Sequence, residues 1–96
     1  MINFGYSVTI TRQRIQWLYK GELHREDGPA IEYAGGTKYW YRNGKYHRED
    51  DPAVERCNGD KEWFLNGKCH RENGPAVEWA NGIKYWFLNG VIVDPF

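Results

Sequence analysis

A 23-residue period runs through most of this sequence, and it limits the chain to folds in which one small unit stacks on its own copies. Four tryptophans, three histidines and three prolines keep this spacing: Trp17, Trp40, Trp63 and Trp86; His24, His47 and His70; Pro29, Pro52 and Pro75. Each unit reads tryptophan, a glycine turn, His-Arg-Glu, Pro-Ala, an aliphatic residue, glutamate and a second glycine turn. The period runs without a gap, so the whole region must repeat one local structure.

The period also sets the boundaries within one domain, because 96 residues leave no room for a second core. Residues 17–39, 40–62 and 63–85 are full repeats, and residues 86–96 are a truncated fourth repeat. Residues 1–14 precede them, and apolar and polar residues alternate from Ile2 to Thr11, which predicts an N-terminal capping strand. The pattern does not decide whether this strand extends the sheet or crosses one face.

Glycine dipeptides predict how each unit folds. An Asn-Gly dipeptide is typical of a type I′ hairpin turn, because both central residues of that turn need a positive φ. It occurs at residues 43–44, 66–67 and 89–90. A second series of turn signals lies at residues 35–36, 58–59 and 81–82. Two hairpin turns per unit predict two short strands and no helix, so we expect an all-β fold: an antiparallel meander of 23-residue two-strand hairpin repeats forming one twisted or curled sheet.

Two-residue turns also fix which residues lie opposite each other. Around the first Asn-Gly turn, Tyr41 faces Tyr46 and Trp40 faces His47; around the second series, Ile31 faces Trp40. One face then carries a row of aliphatic residues, tryptophans and histidines, and the opposite face is apolar as well. A single sheet with two apolar faces must curl, be covered or pair with another chain.

The same register fits badly in the middle unit. It places Glu55 directly opposite Glu62, and like charges in that position are unfavourable. Either diagonal pairs with arginine offset the repulsion, or the middle hairpin is shifted by one residue. We keep the register in which Glu55 lies opposite Glu62.

The Asn-Gly-Lys-x-His segments and the period resemble the MORN repeat, a hairpin unit that stacks into one long twisted sheet. The His-Arg-Glu-Asp-Gly-Pro-Ala form, His-Arg-x-Asp-Gly-Pro-Ala in general, is similar to a variant found in proteins of phages, bacteria and large viruses. The resemblance covers Ile15 to Gly90. Glycine stands where the MORN strand has its tyrosine, and the interval from tryptophan to histidine is one residue longer. The membrane contact attributed to MORN proteins is therefore not carried over.

Charge and hydropathy exclude several partners. Thirteen Lys and Arg residues balance thirteen Asp and Glu residues, which argues against a nucleic-acid binder that works through a positive field. No run approaches the roughly 20 apolar residues of a membrane helix, and the first fifteen residues lack the apolar block of a signal peptide. We expect no membrane or nucleic-acid partner, a cytoplasmic location, and two reduced cysteines, Cys57 and Cys69.

Neither a metal site nor an active site is predicted. Equivalent histidines lie two strands apart, about 9 to 10 Å, so His24, His47 and His70 cannot share one zinc ion, and we expect them to pack on tryptophan. Every acid or base recurs in identical surroundings, whereas an active site needs one asymmetric cluster. Cys69 and His70 are neighbours in a strand and point to opposite faces, so they form no catalytic pair. We expect no cofactor and no enzymatic activity.

Two sets of residues are the candidates for function. We assign a structural role to Trp17, Trp40, Trp63, Trp86, His24, His47 and His70. We assign contact with a partner to Trp79, Arg25, Arg48, Arg71, Glu26, Glu49 and Glu72. Trp79 is included because it replaces Tyr33 and Arg56 at its place in the repeat. The charged residues are equally well explained as a solvated row of ion pairs that keeps the protein soluble.

These features predict a non-enzymatic protein-binding module. The resemblance suggests a phage accessory protein that binds and inhibits a host defence protein in the host cytoplasm. One alternative is a sponge that stacks a nucleotide or another small ligand on its aromatic residues. Another is a structural repeat protein that associates with itself. Because a meander has two open edges, we also expect a homodimer.

Overall fold

The computed structural model describes residues 5–93. All regular secondary structure in this range is β-strand. The fourteen strands of this range are β1 (Tyr6–Ile10), β2 (Arg14–Tyr19), β3 (Glu22–Leu23), β4 (Ile31–Tyr33), β5 (Lys38–Tyr39), β6 (Tyr41–Arg42), β7 (Lys45–Tyr46), β8 (Val54–Glu55), β9 (Lys61–Glu62), β10 (Phe64–Leu65), β11 (Lys68–Cys69), β12 (Val77–Glu78), β13 (Lys84–Leu88) and β14 (Val91–Val93).

Ten of these strands form one antiparallel sheet in the order β1-β2-β4-β5-β8-β9-β12-β13-β14, with β3 beside β2. Strands β6 and β7 form a two-stranded ladder, and so do β10 and β11. The predicted all-β, antiparallel meander is confirmed at this level. The large sheet is open, with β1 and β14 at its two ends, in a molecule of 52 × 25 × 16 Å.

The Asn-Gly turns adopt the predicted conformation. Asn43 and Gly44 have φ values of 52° and 77°, and residues 66–67 and 89–90 have nearly the same values. Lys20 and Gly21 form a matching turn in the first hairpin, with φ values of 50° and 83°, although lysine disfavours a positive φ.

The register beside these turns also matches the prediction. Tyr41 pairs with Tyr46, and the amide of His47 donates to the carbonyl of Trp40 at 3.1 Å. A two-residue turn leaves no freedom in this pairing.

The second series of turns differs from the prediction, and the register around it is wrong by one residue. Ile31 pairs with Tyr39 rather than with Trp40. The turn is a three-residue loop, in which the carbonyl of Tyr33 accepts a hydrogen bond from Gly36 at 2.9 Å. Gly36, the last loop residue, has the positive φ of 106° that such loops need. The extra loop residue shifts the pairing by one position.

The shifted register removes the predicted clash of glutamates. Glu55 lies opposite Lys61, and Glu62 lies opposite Val54. The carboxylate of Glu62 instead forms an ion pair with the guanidinium of Arg56. The middle hairpin is therefore shifted by one residue relative to the predicted register, and it is this shift that relieves the repulsion between Glu55 and Glu62.

The strands are shorter and more numerous than two per unit. The amide of Trp40 donates to Ala53 at 2.7 Å, while its carbonyl accepts from His47 at 3.1 Å. Trp40 thus faces two segments that are separated by a loop, which acts as a large bulge in the opposing strand. The bulge divides both strands into two-residue pieces around the tryptophan.

The core consists of an alanine followed by an aliphatic residue at three places, and all six residues are buried: Ala30, Ile31, Ala53, Val54, Ala76 and Val77. Because neighbouring residues of a strand point to opposite faces, both faces of the sheet are covered at these positions. Val54 is paired with Tyr39 on one side and with Glu62 on the other. The predicted row of aliphatic residues and tryptophans is therefore wrong. In the observed row, aliphatic residues alternate with tyrosine or glutamate.

The N-terminal strand extends the sheet and does not cross its face. Strand β1 pairs with β2 from Tyr6, opposite Tyr19, to Ile10, opposite Ile15. The side chain of Ile10 is 72 % exposed. Ile2, which begins the predicted alternation, lies outside the described residues.

We expect Trp63→Ala to lower the free energy of unfolding by about 3 to 5 kcal/mol, because Trp63 is buried and the substitution leaves a cavity. Trp63→Phe should cost less. It keeps most of the ring volume and removes a buried indole N–H that has no hydrogen-bond partner within residues 5–93. Chemical denaturation followed by circular dichroism measures both losses, and equal losses would contradict the assignment of this ring to the core.

Candidate protein-binding surface

Three wide loops, residues 24–30, 47–53 and 70–76, stand over the periodic tryptophans. Each loop begins at a histidine whose amide donates to a tryptophan carbonyl, and ends at an alanine whose carbonyl accepts from the amide of the same tryptophan. In the third loop these hydrogen bonds join His70 and Ala76 to Trp63 at 3.0 and 2.7 Å. We call the solvent-facing side of the three loops the loop surface.

The arginine of each loop folds back over the tryptophan. The guanidinium carbon lies 4.3 Å from the ring centroid for Arg25 on Trp17, 3.8 Å for Arg48 on Trp40 and 3.9 Å for Arg71 on Trp63. Each guanidinium also donates to the proline carbonyl of its own loop, at 3.0 to 3.3 Å. The contact combines cation–π attraction with closure of the loop.

Glutamates of the sheet hold two of these arginines, whereas Arg25 binds Asp27 of its own loop at 3.1 Å. Arg48 binds Glu55 at 2.9 Å, and Arg71 binds Glu78 at 3.0 Å. The three arginine side chains are only 23 to 29 % exposed. The structure therefore places the guanidinium groups predicted to contact a partner mainly in contacts within the chain.

Two of these arginines pass close to a glycine. A Cβ atom on Gly28 would lie 2.8 Å from the guanidinium carbon of Arg25, and one on Gly74 would lie 3.1 Å from that of Arg71. The middle loop has Asp51 at this position, and the preceding residue there takes a positive φ of 65°.

The glutamate that follows each arginine points outward. The side chains of Glu26, Glu49 and Glu72 are 62 to 78 % exposed. Each carboxylate lies 3.1 to 3.7 Å from Nε2 of the histidine two residues earlier. Among the charged residues predicted to contact a partner, the glutamates are thus accessible to solvent, whereas the arginines are largely covered.

The histidines join consecutive hairpins. Nδ1 of His24, His47 and His70 accepts a hydrogen bond from an asparagine amide of the next hairpin, at 2.8 to 2.9 Å. The ring of His24 also packs on Tyr6 and Tyr19, with centroids 6.3 and 5.5 Å away. Within residues 5–93, no group of three His, Cys, Asp or Glu side chains could hold a metal ion.

Trp79 does not belong to any of the three loops that form the loop surface. Strand β12 separates it from the third loop, and its side chain is half-buried. Its amide donates to Ile83 at 2.8 Å, and its carbonyl accepts from Gly82 at 2.9 Å, so its backbone closes a three-residue turn.

Two grooves lie between consecutive loops. The groove between the first and second loops has a volume of about 520 Å³ and is lined by Arg25 and Trp40 among others. The groove between the second and third loops has a volume of about 320 Å³ and includes Arg48 and Trp63. These are the places where a flat ligand could meet an aromatic ring and a cation.

Neither cysteine forms a disulfide bond; Cys57 is exposed and Cys69 is half-buried. Burial, with a smaller contribution from the charge of Glu62, raises the pKa of Cys69 to about 11. Its thiol therefore stays protonated at neutral pH, which disfavours a role as nucleophile.

An aromatic row that the sequence analysis did not predict joins the large sheet to the small ladders. Tyr33, Tyr39, Tyr46 and Phe64 follow one another with ring centroids 5.0 to 5.9 Å apart. Burial and the hydrogen bond with Tyr41 raise the pKa of Tyr46. The sequence signals of this row were the tyrosine directly before Trp40 and the predicted pairing of Tyr46 with Tyr41. Glu62 stands at the place that corresponds to Tyr39 in the next unit.

No protein-family model, no curated protein and no solved structure matches this chain. Within residues 5–93, no helix is long and apolar enough to cross a membrane.

Proposed function

We propose that this chain is a non-enzymatic protein-binding module built from MORN-like hairpin repeats of 23 residues. Two contacts that recur at this interval support the repeat: the arginine on the tryptophan, and the histidine ring that accepts from the next hairpin. Each unit covers its own tryptophan and ties itself to the following unit, as stacked repeats do.

The observation that carries the proposal is the row of exposed carboxylates on the loop surface. Glu26, Glu49 and Glu72 occupy the same place on three consecutive loops, and aspartates beside them add further negative charge: Asp27, Asp50 and Asp51. The three loops together carry six carboxylates and three arginines, a formal charge of −3 in a chain that has no net charge, so this side is locally acidic. A protein partner with a basic surface fits it by charge complementarity.

The arginines serve this surface chiefly by holding the loops in place. Trp79 provides a second, aromatic contact, because tryptophan at a half-exposed position is typical of interface hot spots. The resemblance to repeats in phage proteins supports a phage accessory protein that binds and inhibits a host defence protein in the host cytoplasm. That identification is an analogy with the repeat type.

The structure gives less support to a small-ligand sponge. A bound phosphate would have to compete with Glu55 for Arg48 and with Glu78 for Arg71. Native mass spectrometry of the purified protein separates the two functions, because a sponge retains a small molecule and the proposed module does not.

The test of the proposed function is capture of one polypeptide from a bacterial lysate by the wild-type chain. The triple variant Glu26→Gln, Glu49→Gln, Glu72→Gln should lose the capture, and Trp79→Ala should weaken it. The glutamate variant should remain folded, because exposed charges contribute at most about 1 kcal/mol each. Trp79→Ala should remain folded because Trp79 is only half-buried and is not one of the buried core residues.

A matched triple variant, Lys20→Gln, Lys45→Gln, Lys68→Gln, changes three exposed charges at the hairpin turns and should leave the capture intact. Capture that survives in the glutamate variant, or is lost equally in the lysine variant, would contradict the assignment of the loop surface.

Self-association is a second candidate, because apolar side chains are exposed at both ends of the sheet. Ile10 of β1 is 72 % exposed, and Val91 and Ile92 of β14 are 63 and 59 % exposed. Edge strands of this kind pair readily with another chain.

We expect light scattering at micromolar concentration to give twice the 11.3-kDa mass of the chain. Ile10→Lys or Ile92→Lys, whichever end pairs, should restore the mass of one chain, because a charged edge resists pairing. A single-chain mass that persists on concentration would rule out the homodimer.

A further inference from the structure

The pentapeptide Trp-Phe-Leu-Asn-Gly occurs twice, at residues 63–67 and 86–90, in different surroundings. Trp63 is buried and Leu65 is half-buried, whereas Trp86 is half-buried and Leu88 is 42 % exposed. Identical residues form the same hairpin in both places, so the difference shows what covers the first copy and is missing from the second.

The first copy is covered by the segment 71–78. Arg71 stacks on Trp63, and the carbonyl of Ala76 accepts from the Trp63 amide at 2.7 Å. Further along this segment, Val77 lies opposite residue 62 and Glu78 lies opposite Lys61. The segment therefore contacts residues 61–63 through four side chains or backbone groups at fixed positions: an arginine, an alanine, an aliphatic residue and a glutamate.

At the second copy no strand of residues 5–93 occupies the corresponding place beside Lys84 and Tyr85. Strand β13 pairs with β12 through Lys84 and Tyr85, and with β14 from Trp86 onward. The other edge of Lys84 and Tyr85 has no strand beside it within residues 5–93. The sequence itself changes here, because Val93 and Asp94 stand where the other units have histidine and arginine.

The open edge has the chemistry of an interface. Three large apolar side chains near it are 41 to 48 % exposed: Ile83, Tyr85 and Leu88. Lys84 faces Glu78 on the paired side only, whereas Lys38 and Lys61 each lie between two glutamates. A glutamate is therefore the complementary residue on the free side of Lys84.

We propose that the edge formed by Lys84 and Tyr85 binds, as an added strand, an extended segment of another protein with the pattern Arg-x-x-x-Pro-Ala-aliphatic-Glu. Its arginine stacks on the ring of Trp86, its aliphatic residue lies beside Tyr85 and its glutamate faces Lys84. The added strand continues the ladder of the large sheet, which is a common mode of peptide recognition.

A second copy of this chain is not the occupant. Its three segments of this pattern contain β4, β8 and β12, and each of these strands is already paired on both sides. The N-terminal edge strand β1 has the sequence Tyr-Ser-Val-Thr-Ile and lacks the pattern. Edge strand β14, Val-Ile-Val, lacks the pattern as well. No unpaired strand of residues 5–93 carries it, which favours a different protein as the occupant, and this edge is distinct from the loop surface.

The probe for the test is a fluorescein-labelled nine-residue peptide with the sequence of His70–Glu78, added to the 96-residue protein. We expect a saturable rise in fluorescence anisotropy. Replacing the peptide arginine by alanine should raise Kd by about tenfold or more, since a desolvated cation–π contact and its hydrogen bonds are lost.

A charge swap tests the register. Lys84→Glu should raise Kd for the wild-type peptide about fivefold, and a peptide with lysine in place of its glutamate should restore binding to this variant. Lys20→Glu, at the opposite end of the sheet, is the matched control and should leave Kd unchanged.

Three outcomes would overturn the proposal: no saturable binding up to millimolar peptide, equal binding of the alanine-substituted peptide, or binding that is indifferent to Lys84→Glu. With peptide binding absent, a two-chain mass that Lys84→Glu reduces to one chain, and that neither Ile10→Lys nor Ile92→Lys reduces, would assign the edge to a second copy instead. A lysate capture result leaves this test unaffected, because it concerns the loop surface.

Discussion

Three histidine rings each accept, through Nδ1, the backbone amide of an asparagine nineteen residues further along the chain. The molecule is only 16 Å thick in one direction, so contacts between consecutive hairpins are important for holding it together. His24 and His47 are more than nine-tenths buried, and the amides they bind belong to turns with a positive φ. Because Nδ1 accepts, a neutral ring carries its proton on Nε2, which faces the exposed glutamate of the same loop. One side chain thus fixes the next hairpin, and at His47 the ring also lies within hydrogen-bond distance of the surface carboxylate of Glu49, at 3.1 Å.

In each loop the arginine is half-buried on a tryptophan, whereas the glutamate that follows it is exposed, and the path of the loop explains this difference. The loop leaves the strand after the histidine and returns at the alanine, and both ends are hydrogen-bonded to one tryptophan. This path turns the arginine inward, onto the indole ring and the proline carbonyl, and leaves the glutamate outward. The acidic loop surface is therefore a consequence of how each loop closes. A partner would meet carboxylates held by a rigid support, which reduces the conformational entropy lost on binding.

The sequence was sufficient for the elements whose geometry depends on local residues. The Asn-Gly turns predicted both the hairpins and the pairing of Tyr41 with Tyr46. The second series failed because the same dipeptide serves two kinds of turn. The side chain of Asn58 accepts from the amide of Asp60 at 3.0 Å, so that asparagine caps a three-residue loop. The inward arginines could not be predicted either, since a neighbouring glutamate suggests a surface ion pair and only the bulged loop brings the guanidinium back to the ring.

The most direct test of this account is nuclear magnetic resonance of the ¹⁵N-labelled protein, which detects scalar coupling between two nitrogens across a hydrogen bond. We expect coupling from the Asn66 amide nitrogen to Nδ1 of His47, and the equivalent coupling at the other two histidines. The same spectra should show Nε2 as the protonated nitrogen of each neutral ring. Absence of the couplings, with Nδ1 protonated instead, would contradict the claim that the histidine rings join consecutive hairpins.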